Sequence, residues 1–232
     1  MSTQGTTTQS KKGLDAFIFG AGSQGRVVLD ILRMDPSWSS IQFLDDSASK
    51  AGTTLSGVTV LGDLSVLAGR DPSTYGVIVA MGYPYIRERI FAKMQQDRLN
   101  IINAIHPSVS IAPSAKIGTG NMICAGAVIN TEAVVGNSTI INPTSVVEHD
   151  AVIGDFVTLA AGAQVGARVK IGKLSFLGIS ATVLPGITIG QGAIIGVCGC
   201  VLKDVPDNVF ALGSPARVIE NTGPDFDYGR IL

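Results

Sequence analysis

Residues 129–160 read INTEAVVGNSTIINPTSVVEHDAVIGDFVTLA, a stretch in which an aliphatic residue recurs at every sixth position. This repeat runs without interruption from Ile105 to Val201, and all seventeen of its positions hold Ile, Leu or Val. The residue four places after each is small or β-branched nearly throughout, with Asn121 as the main exception. A fixed short period of this kind indicates a solenoid of stacked units.

Each six-residue unit, or hexad, has the pattern of one short strand and one bend. Side chains alternate along a strand, so the first and fifth positions of a hexad point inward. Glycine at the second position, as in Gly136 and Gly154, eases the bend. Three hexads close a triangular coil that can bury its inner face only against neighbouring coils. We therefore predict a parallel β-helix of about five coils over residues 105–206, followed by a C-terminal extension over 207–232.

The region before the repeat alternates apolar strands with helices. Strands are predicted at 14–20, 41–44 and 76–80, and helices at 26–34 and 85–99. This pattern is typical of a Rossmann-like α/β nucleotide-binding domain of about three strands, with bounds 13–104. An NAD-binding domain is disfavoured, because the region is about half the size of a dinucleotide fold and is followed by the repeat.

The turn between the first strand and the first helix reads GAGSQG at residues 20–25. Glycines there allow backbone N–H groups to approach a pyrophosphate at a helix N-terminus, although a tight packing turn is the alternative. Asp45 follows Gly25 by 20 residues, the spacing at which an acidic side chain holds a ribose. The predicted nucleotide-binding residues are Gly20, Gly22, Ser23, Gln24, Gly25, Asp45, Asp46 and Gly82.

The net charge, the cysteines and the apolar runs of the sequence argue against several kinds of partner and site. The net charge is −1 and no dense Lys/Arg run occurs, so no nucleic-acid partner is expected. The three cysteines are Cys124, Cys198 and Cys200; their odd number and lack of CxxC spacing predict neither disulfides nor a metal site, which fits a cytoplasmic protein. Residues 1–12 are polar and are predicted to form a disordered tail, and no apolar run is long enough to span a membrane.

Five motifs in order carry a family resemblance: GAGSQG at 20–25, FLDD at 43–46, NAIHPSV at 103–109, NPTSVVEHD at 142–150 and GSPARVI at 213–219. Together they resemble the NeuD-type sugar O- and N-acyltransferases, a family of hexapeptide-repeat transferases. Within it the chain looks closest to enzymes of bacillosamine and perosamine synthesis, which N-acetylate nucleotide-linked 4-amino-4,6-dideoxy sugars. The resemblance implies a left-handed β-helix, acetyl-CoA as cosubstrate, a homotrimer with sites between subunits, and a role in polysaccharide biosynthesis.

The resemblance also implies a catalytic histidine. Acetyl transfer to an amine requires a base, and His149 lies at the third position of its hexad, which points outward at a corner. His149 is thus expected to be the general base, with Glu148 or Asp150 as the carboxylate that orients it; the residues alone do not separate the two. Asn142 matches a family residue near the sugar amine, although it could instead stabilise a corner. His106, the other histidine, is expected to have a packing role.

Acetyl-CoA is expected, by resemblance, to lie in a groove between subunits. The residues expected to contact it are Gly162, Ala167, Gly178, Ile179 and Val197, with Pro215 and Arg217 bordering one end. The sequence departs from the family at Gln24, where a histidine is usual, and at Thr158, where some members have a second histidine.

Other functions remain open at this point. A sialic acid or other sugar O-acetyltransferase would share the histidine base, and a sugar-nucleotide-binding scaffold would lack catalysis. The three-histidine zinc site of β-helical carbonic anhydrases cannot form from two histidines. The nucleotide, which could be UDP, GDP or dTDP, and the sugar epimer are not determined by these motifs.

Overall fold

The computed structural model describes residues 13–227, so the predicted tail over 1–12 lies outside the described residues. Its first part contains β1 (Leu14–Phe19), α1 (Ser23–Arg33), β2 (Trp38–Leu44), β3 (Thr54–Leu55), β4 (Val58–Thr59), β5 (Tyr75–Val79) and α2 (Pro84–Gln96). Two short 3₁₀ helices, Leu64–Leu67 and Pro72–Thr74, precede β5. The three predicted strands form a parallel sheet with the order β2-β1-β5; the sequence predicted neither this order nor the β3–β4 hairpin.

Side chains of β1 alternate between the two faces of this sheet. Ala16 and Ile18 pack with α1 in one buried cluster, and Phe17 and Phe19 pack with α2 in another. Helices on opposite faces of a parallel sheet bury both of its sides.

Every hexad forms a two-residue strand. These strands are β6 (Ala104–Ile105), β7 (Ser110–Ile111), β8 (Lys116–Ile117), β9 (Met122–Ile123), β10 (Val128–Ile129), β11 (Val134–Val135), β12 (Ile140–Ile141), β13 (Val146–Val147), β14 (Val152–Ile153), β15 (Thr158–Leu159), β16 (Gln164–Val165), β17 (Lys170–Ile171), β18 (Phe176–Leu177), β19 (Thr182–Val183), β20 (Thr188–Ile189), β21 (Ile194–Ile195) and β22 (Cys200–Val201). An antiparallel pair, β23 (Val209–Leu212) and β24 (Arg217–Asn221), follows.

Every third strand stacks on the one before it, which produces three flat faces. Face 1 contains β6 and every third strand to β21, extended by β23 and β24; face 2 contains β7 to β22 and face 3 contains β8 to β20. Paired residues are eighteen apart, as in Val147 with Val165. We name the bends by the faces that they join: the 1–2, 2–3 and 3–1 corners. Seventeen strands make nearly six coils, more than the five expected, because the incomplete turns at both ends also pair with their neighbours.

The interior is apolar and close to fully buried. Ile153, Leu159 and Leu177 are between 0% and 1% exposed, in a cluster that runs along the whole β-helix. Asn121, the exception in the repeat, is also fully buried, and its Oδ1 accepts the N–H of Thr139 on the next coil. Each coil is therefore stabilised by its neighbours, as expected of a solenoid.

The bends differ from the prediction in one respect. From the third bend of the β-helix to the bend at Cys198, the left-handed residue is at the fourth hexad position, where non-glycine residues such as Ser138, Asp150 and Leu174 have φ between 49° and 65°. Glycine at the second position has another purpose: a Cβ on Gly136 or Gly154 would lie 2.7–2.8 Å from backbone atoms of the next coil. Those glycines permit close stacking rather than the bend itself.

The α/β domain packs directly on the β-helix. Helix α1 shares a buried cluster with Met122 and Ile140 of face 1, and Phe91 of α2 meets Phe156 of a 3–1 corner edge to face at 5.6 Å. Within residues 13–227, no helix has the length and apolar character needed to cross a membrane.

Strand β14 offers a test of the inward and outward pattern, because Ile153 is 1% exposed while Val152 is 40% exposed. We expect Ile153→Ala to lower the free energy of unfolding by about 2–5 kcal/mol, since it leaves a cavity in the interior. Val152→Ala is the matched control, with an expected change within about 0.5 kcal/mol. Chemical denaturation measures both, and equal losses would contradict the pattern.

Candidate active site

His149 lies at a 2–3 corner, between β13 and β14. Its neighbours Val147 and Ala151 are fully buried, and its own side chain is 47% exposed. The backbone of Asp150 is left-handed, with φ of 59°, and this turn brings the Asp150 carboxylate to 2.7 Å from His149 Nδ1. Glu148 instead accepts the backbone N–H of His149 at 3.3 Å. Asp150 is therefore the carboxylate that holds the imidazole ring.

This pairing decides which ring nitrogen is available. An Nδ1–H donated to Asp150 leaves the lone pair of His149 on Nε2. Nε2 has no hydrogen-bond partner among residues 13–227. The arrangement can accept a proton at Nε2 while the carboxylate stabilises the imidazolium that forms.

A cavity of about 320 Å³ lies between the α/β domain and face 1. We call it the interdomain cavity. Its lining residues are Gln24, Gly82 and Tyr83 of the α/β domain together with Ile140, Asn142, Thr158, Ala160, Ala161, Phe176 and Ile179 of the β-helix. Of the predicted site residues, it brings together Gln24, Gly82, Asn142 and Ile179.

Asn142 and Gln24, two polar side chains that line the interdomain cavity, are each held by a hydrogen bond. Asn142 donates from Nδ2 to the Leu159 carbonyl at 3.0 Å, and its Oδ1 has no donor among the described residues. Gln24 donates from Nε2 to Met122 Sδ at 2.7 Å, across the boundary between the two domains. Thr158, which the sequence marked only as a departure from the family, is 4% exposed and lines the same cavity.

His149 is not in the interdomain cavity. Asn142 begins a 1–2 corner and His149 lies at the following 2–3 corner, with strand β13 between them. Six residues of extended chain, from one corner to the next, span on the order of 15–20 Å. A single small group cannot touch both side chains of one chain.

The three glycines of the turn have different surroundings. Gly20 has φ of 115°, and a Cβ there would lie 2.7 Å from the Ala80 carbonyl oxygen. Gly25 is buried against the Gly20 carbonyl and Phe43. Gly22 caps the N-terminus of α1 with no atom within 4 Å of a Cβ built on it, and it is exposed beside exposed Ser23. Space for a ligand is therefore at Gly22, and the other two glycines permit packing.

Asp45 is 5% exposed, and its carboxylate is engaged within the domain. It accepts the Ala21 N–H at 2.9 Å, the Ser47 N–H at 3.0 Å and Lys50 Nζ at 2.7 Å. Burial alone would raise the pKa of this carboxyl, but the bonds from Lys50, Ser47 and Ala21 outweigh burial and lower the pKa below 3.8. Asp45 fixes the glycine turn to the end of β2, a role that its spacing did not reveal.

Asp46 is exposed and borders a second cavity, of about 630 Å³, on the α2 side of the sheet. Phe19, Tyr75 and Ile90 also line it. Neither Asp45 nor Asp46 lines the interdomain cavity.

The residues predicted to contact acetyl-CoA lie in three places. Gly162, Gly178, Ile179 and Val197 lie at 1–2 corners, where Ile179 and Val197 are 51% and 49% exposed. Ala167 lies instead at the 2–3 corner one coil above His149. Pro215 precedes β24 and Arg217 begins it. Within one chain, Ala167 is therefore separated from the residues at the 1–2 corners, just as His149 is separated from Asn142.

Residues 15–94 match the PglD N-terminal domain, and residues 132–167 match the bacterial transferase hexapeptide (six repeats). Among solved structures, perosamine N-acetyltransferase from Caulobacter crescentus, crystallised as a histidine-to-asparagine variant with CoA and GDP-perosamine, is 33% identical with a TM-score of 0.83. That alignment covers 89% of this chain and 97% of the other. The chain belongs to the NeuD-type family of sugar acyltransferases.

Two further relatives have the same fold. The acetyltransferase domain of PglB from Neisseria gonorrhoeae FA1090 is 28% identical over 88% of this chain and 99% of that one, with a TM-score of 0.83. WeeI from Acinetobacter baumannii AYE is 28% identical over 89% and 100%, with a TM-score of 0.82. Membership of the NeuD-type family confirms the predicted left-handed β-helix and the prediction of an acetyltransferase enzyme.

Gly22 provides a test of the glycine turn. We expect Gly22→Val to raise KM for a nucleotide-linked sugar about tenfold, because the side chain fills the space in front of the helix N-terminus. It should cost no more than about 1 kcal/mol of stability, the usual loss at a poor N-cap. Gly22→Ser, a smaller and better N-cap, is the control and should raise KM less. An unchanged KM in folded Gly22→Val would leave the turn with a packing role alone.

Proposed function

We propose that this NeuD-type enzyme transfers the acetyl group of acetyl-CoA to the 4-amino group of a nucleotide-linked 4-amino-4,6-dideoxy sugar, with His149 as general base. The observation that carries this proposal is the 2.7 Å contact of His149 Nδ1 with Asp150, which leaves Nε2 free at an exposed corner. The neighbour crystallised with CoA and GDP-perosamine supports the choice of both substrates.

The chemical step is a transfer from sulfur to nitrogen. The neutral amine attacks the thioester carbonyl, so that a C–N bond forms and the C–S bond breaks. His149 Nε2 takes the proton that the amine loses, and that proton then neutralises the departing CoA thiolate. The Asp150 carboxylate stabilises the imidazolium between these two events.

The lining of the interdomain cavity supports a deoxy sugar as acceptor. Ile140, Ala160 and Phe176 provide an apolar wall, which suits a methyl group better than a hydroxymethyl group. Asn142 Oδ1 is an acceptor suited to an amine N–H, and the free N-terminus of α1 at Gly22 suits the pyrophosphate. In this proposal residues 13–104 bind the sugar nucleotide, 105–206 carry the chemistry, and Pro215 and Arg217 of 207–232 border the CoA groove.

The active site is proposed to form between subunits of a homotrimer. One subunit contributes the interdomain cavity and its 1–2 corners, including Gly162 and Ile179. The neighbouring subunit contributes His149 and Ala167 from its 2–3 corners. This arrangement unites the groups that one chain keeps apart, and a three-sided prism has the flat faces that closed threefold packing requires.

The direct test is turnover of acetyl-CoA with GDP-, UDP- and dTDP-linked 4-amino-4,6-dideoxyhexoses, read as free thiol and as product mass. We expect one acetyl group per sugar, in a product that resists hydroxylamine because it is an amide. A hydroxylamine-sensitive ester would instead identify an O-acetyltransferase, and binding without thiol release would indicate a scaffold. Either result would overturn the proposal.

His149→Ala is expected to lower kcat by about 10² to 10⁴, the usual contribution of a general base, with little change in KM for acetyl-CoA. His106→Ala is the matched control, because the contacts of His106 Nδ1 within residues 13–227 are local: the N–H of Ser108 at 3.1 Å and the Ser108 hydroxyl at 2.8 Å. Steady-state thiol release measures both variants. Undiminished kcat in His149→Ala would remove this residue from the mechanism.

Mixing two inactive variants tests the shared site. Ile179→Arg fills the groove side of an interface, and His149→Ala removes the base from the other side. In trimers that are co-expressed at equal levels, about a quarter of the interfaces pair an intact groove with an intact His149, so we expect about a quarter of the wild-type activity. Verified mixed trimers without activity, or a fully active monomer, would contradict a site between subunits.

A further inference from the structure

Arg87 is the largest fully buried side chain within residues 13–227. It is 1% exposed and lies in the first turn of α2, which starts at Pro84. A cation in the first turn opposes the helix dipole, and a buried charge requires good hydrogen bonds. The stability of α2 therefore does not explain an arginine at this position.

The guanidinium connects the α/β domain to two coils of the β-helix. Nη1 donates to the carbonyls of Met81 and Gly82, at 3.0 and 2.8 Å. Nε donates to the Ser138 carbonyl at 2.8 Å, and Nη2 donates to the Phe156 carbonyl at 2.6 Å. Both of these β-helix residues are the left-handed residues of successive 3–1 corners.

Two of the groups that Arg87 holds belong to the interdomain cavity. Gly82 is in the loop that lines one side, and Thr158, on face 1, lines the other. Nη2 of Arg87 also donates to Thr158 Oγ1, at 3.1 Å. A threonine hydroxyl has one hydrogen to donate, and that of Thr158 has no acceptor within residues 13–227. The contact therefore leaves the Thr158 O–H available to a ligand.

We propose that Arg87 is a positioning residue for the sugar-nucleotide site: it fixes the width of the interdomain cavity and orients Thr158 toward an oxygen of the acceptor sugar. This inference rests on the proposed function, because the cavity is taken as the acceptor site. Arg87 itself does not line the cavity. It acts through the loop at Gly82 and through Thr158.

The test compares Arg87→Lys with Arg89→Lys, an exposed arginine on the same helix. Lysine keeps the charge but has one nitrogen, which cannot reach carbonyls on both sides of the cavity. With GDP-perosamine, or whichever panel sugar nucleotide the wild type acetylates, Arg87→Lys should raise KM about tenfold and lower kcat. KM for acetyl-CoA should stay within about twofold. Arg89→Lys should change neither constant.

A purely structural arginine would give a different pattern. Arg87→Lys would then lower the melting temperature and the active fraction, which reduces kcat, while the sugar-nucleotide KM stayed at the wild-type value. That result overturns the proposal. If Arg87→Lys does not fold, Thr158→Val decides, because it keeps the shape and removes only the hydroxyl: a raised sugar-nucleotide KM supports the proposal and an unchanged one overturns it.

A second measurement separates this inference from the proposed function. If the wild type acetylates no sugar of the panel, the proposed function fails, and amide hydrogen exchange of Arg87→Lys then tests the contacts directly. Faster exchange confined to residues 80–83 and 156–158, with wild-type exchange elsewhere in α2 and the β-helix, supports the claim that Arg87 holds both walls of the interdomain cavity. Unchanged exchange in those segments overturns it.

Discussion

A coil of three hexads cannot bury its own interior, and the whole molecule depends on that constraint. Each inward side chain, such as Leu159, is covered only by the coils above and below it. The coils must therefore stack in strict register, eighteen residues apart, with glycines where two backbones come close. Because the period cannot vary, outward-facing residues also fall in fixed columns along faces and corners.

The fixed columns determine where chemistry can occur. The side chains of His149 and Asp150 are about half exposed at their 2–3 corner, so they form their pair without disturbing the interior, whose nearest members are Val147 and Ala151. The outer surface of face 1 is used differently, since the α/β domain packs on it and leaves the interdomain cavity at its edge. One chain therefore displays the His149 imidazole at one corner and the interdomain cavity beside another. This separation is the physical reason for proposing a site between subunits.

Much of the fold could be predicted, because the hexad pattern states the direction of each side chain directly. The six-residue period predicted the position of every strand of the β-helix. The succession of strand, glycine turn and helix predicted the sheet of the α/β domain. What the pattern could not provide depends on contacts distant in sequence. The three glycines of GAGSQG look alike in the sequence. In the structure Gly20 packs against Ala80 and Gly25 packs against Phe43, whereas Gly22 has open space beside it.

The candidate site also depends on contacts and backbone geometry that the sequence pattern does not reveal. Glu148 and Asp150 flank His149 equally in sequence, and only the left-handed backbone at Asp150 brings its carboxylate to the ring. Asp45 has the spacing of a ribose-binding carboxylate, but its oxygens hold Ala21, Ser47 and Lys50. The sequence did not identify Arg87 as a site residue, because most of its acceptors are backbone carbonyls, some of them 51 and 69 residues away. A cation in the first turn of a helix was the one clue.

A crystal structure of the chain with GDP-perosamine and CoA would show whether the sugar and His149 meet across a subunit boundary. We expect the sugar in the interdomain cavity of one subunit, against Asn142 and Thr158. Its amine should lie within hydrogen-bond distance of His149 Nε2 of the neighbouring subunit. A sugar amine beside His149 of the same subunit, or a sugar bound outside the interdomain cavity, would contradict a site shared between subunits.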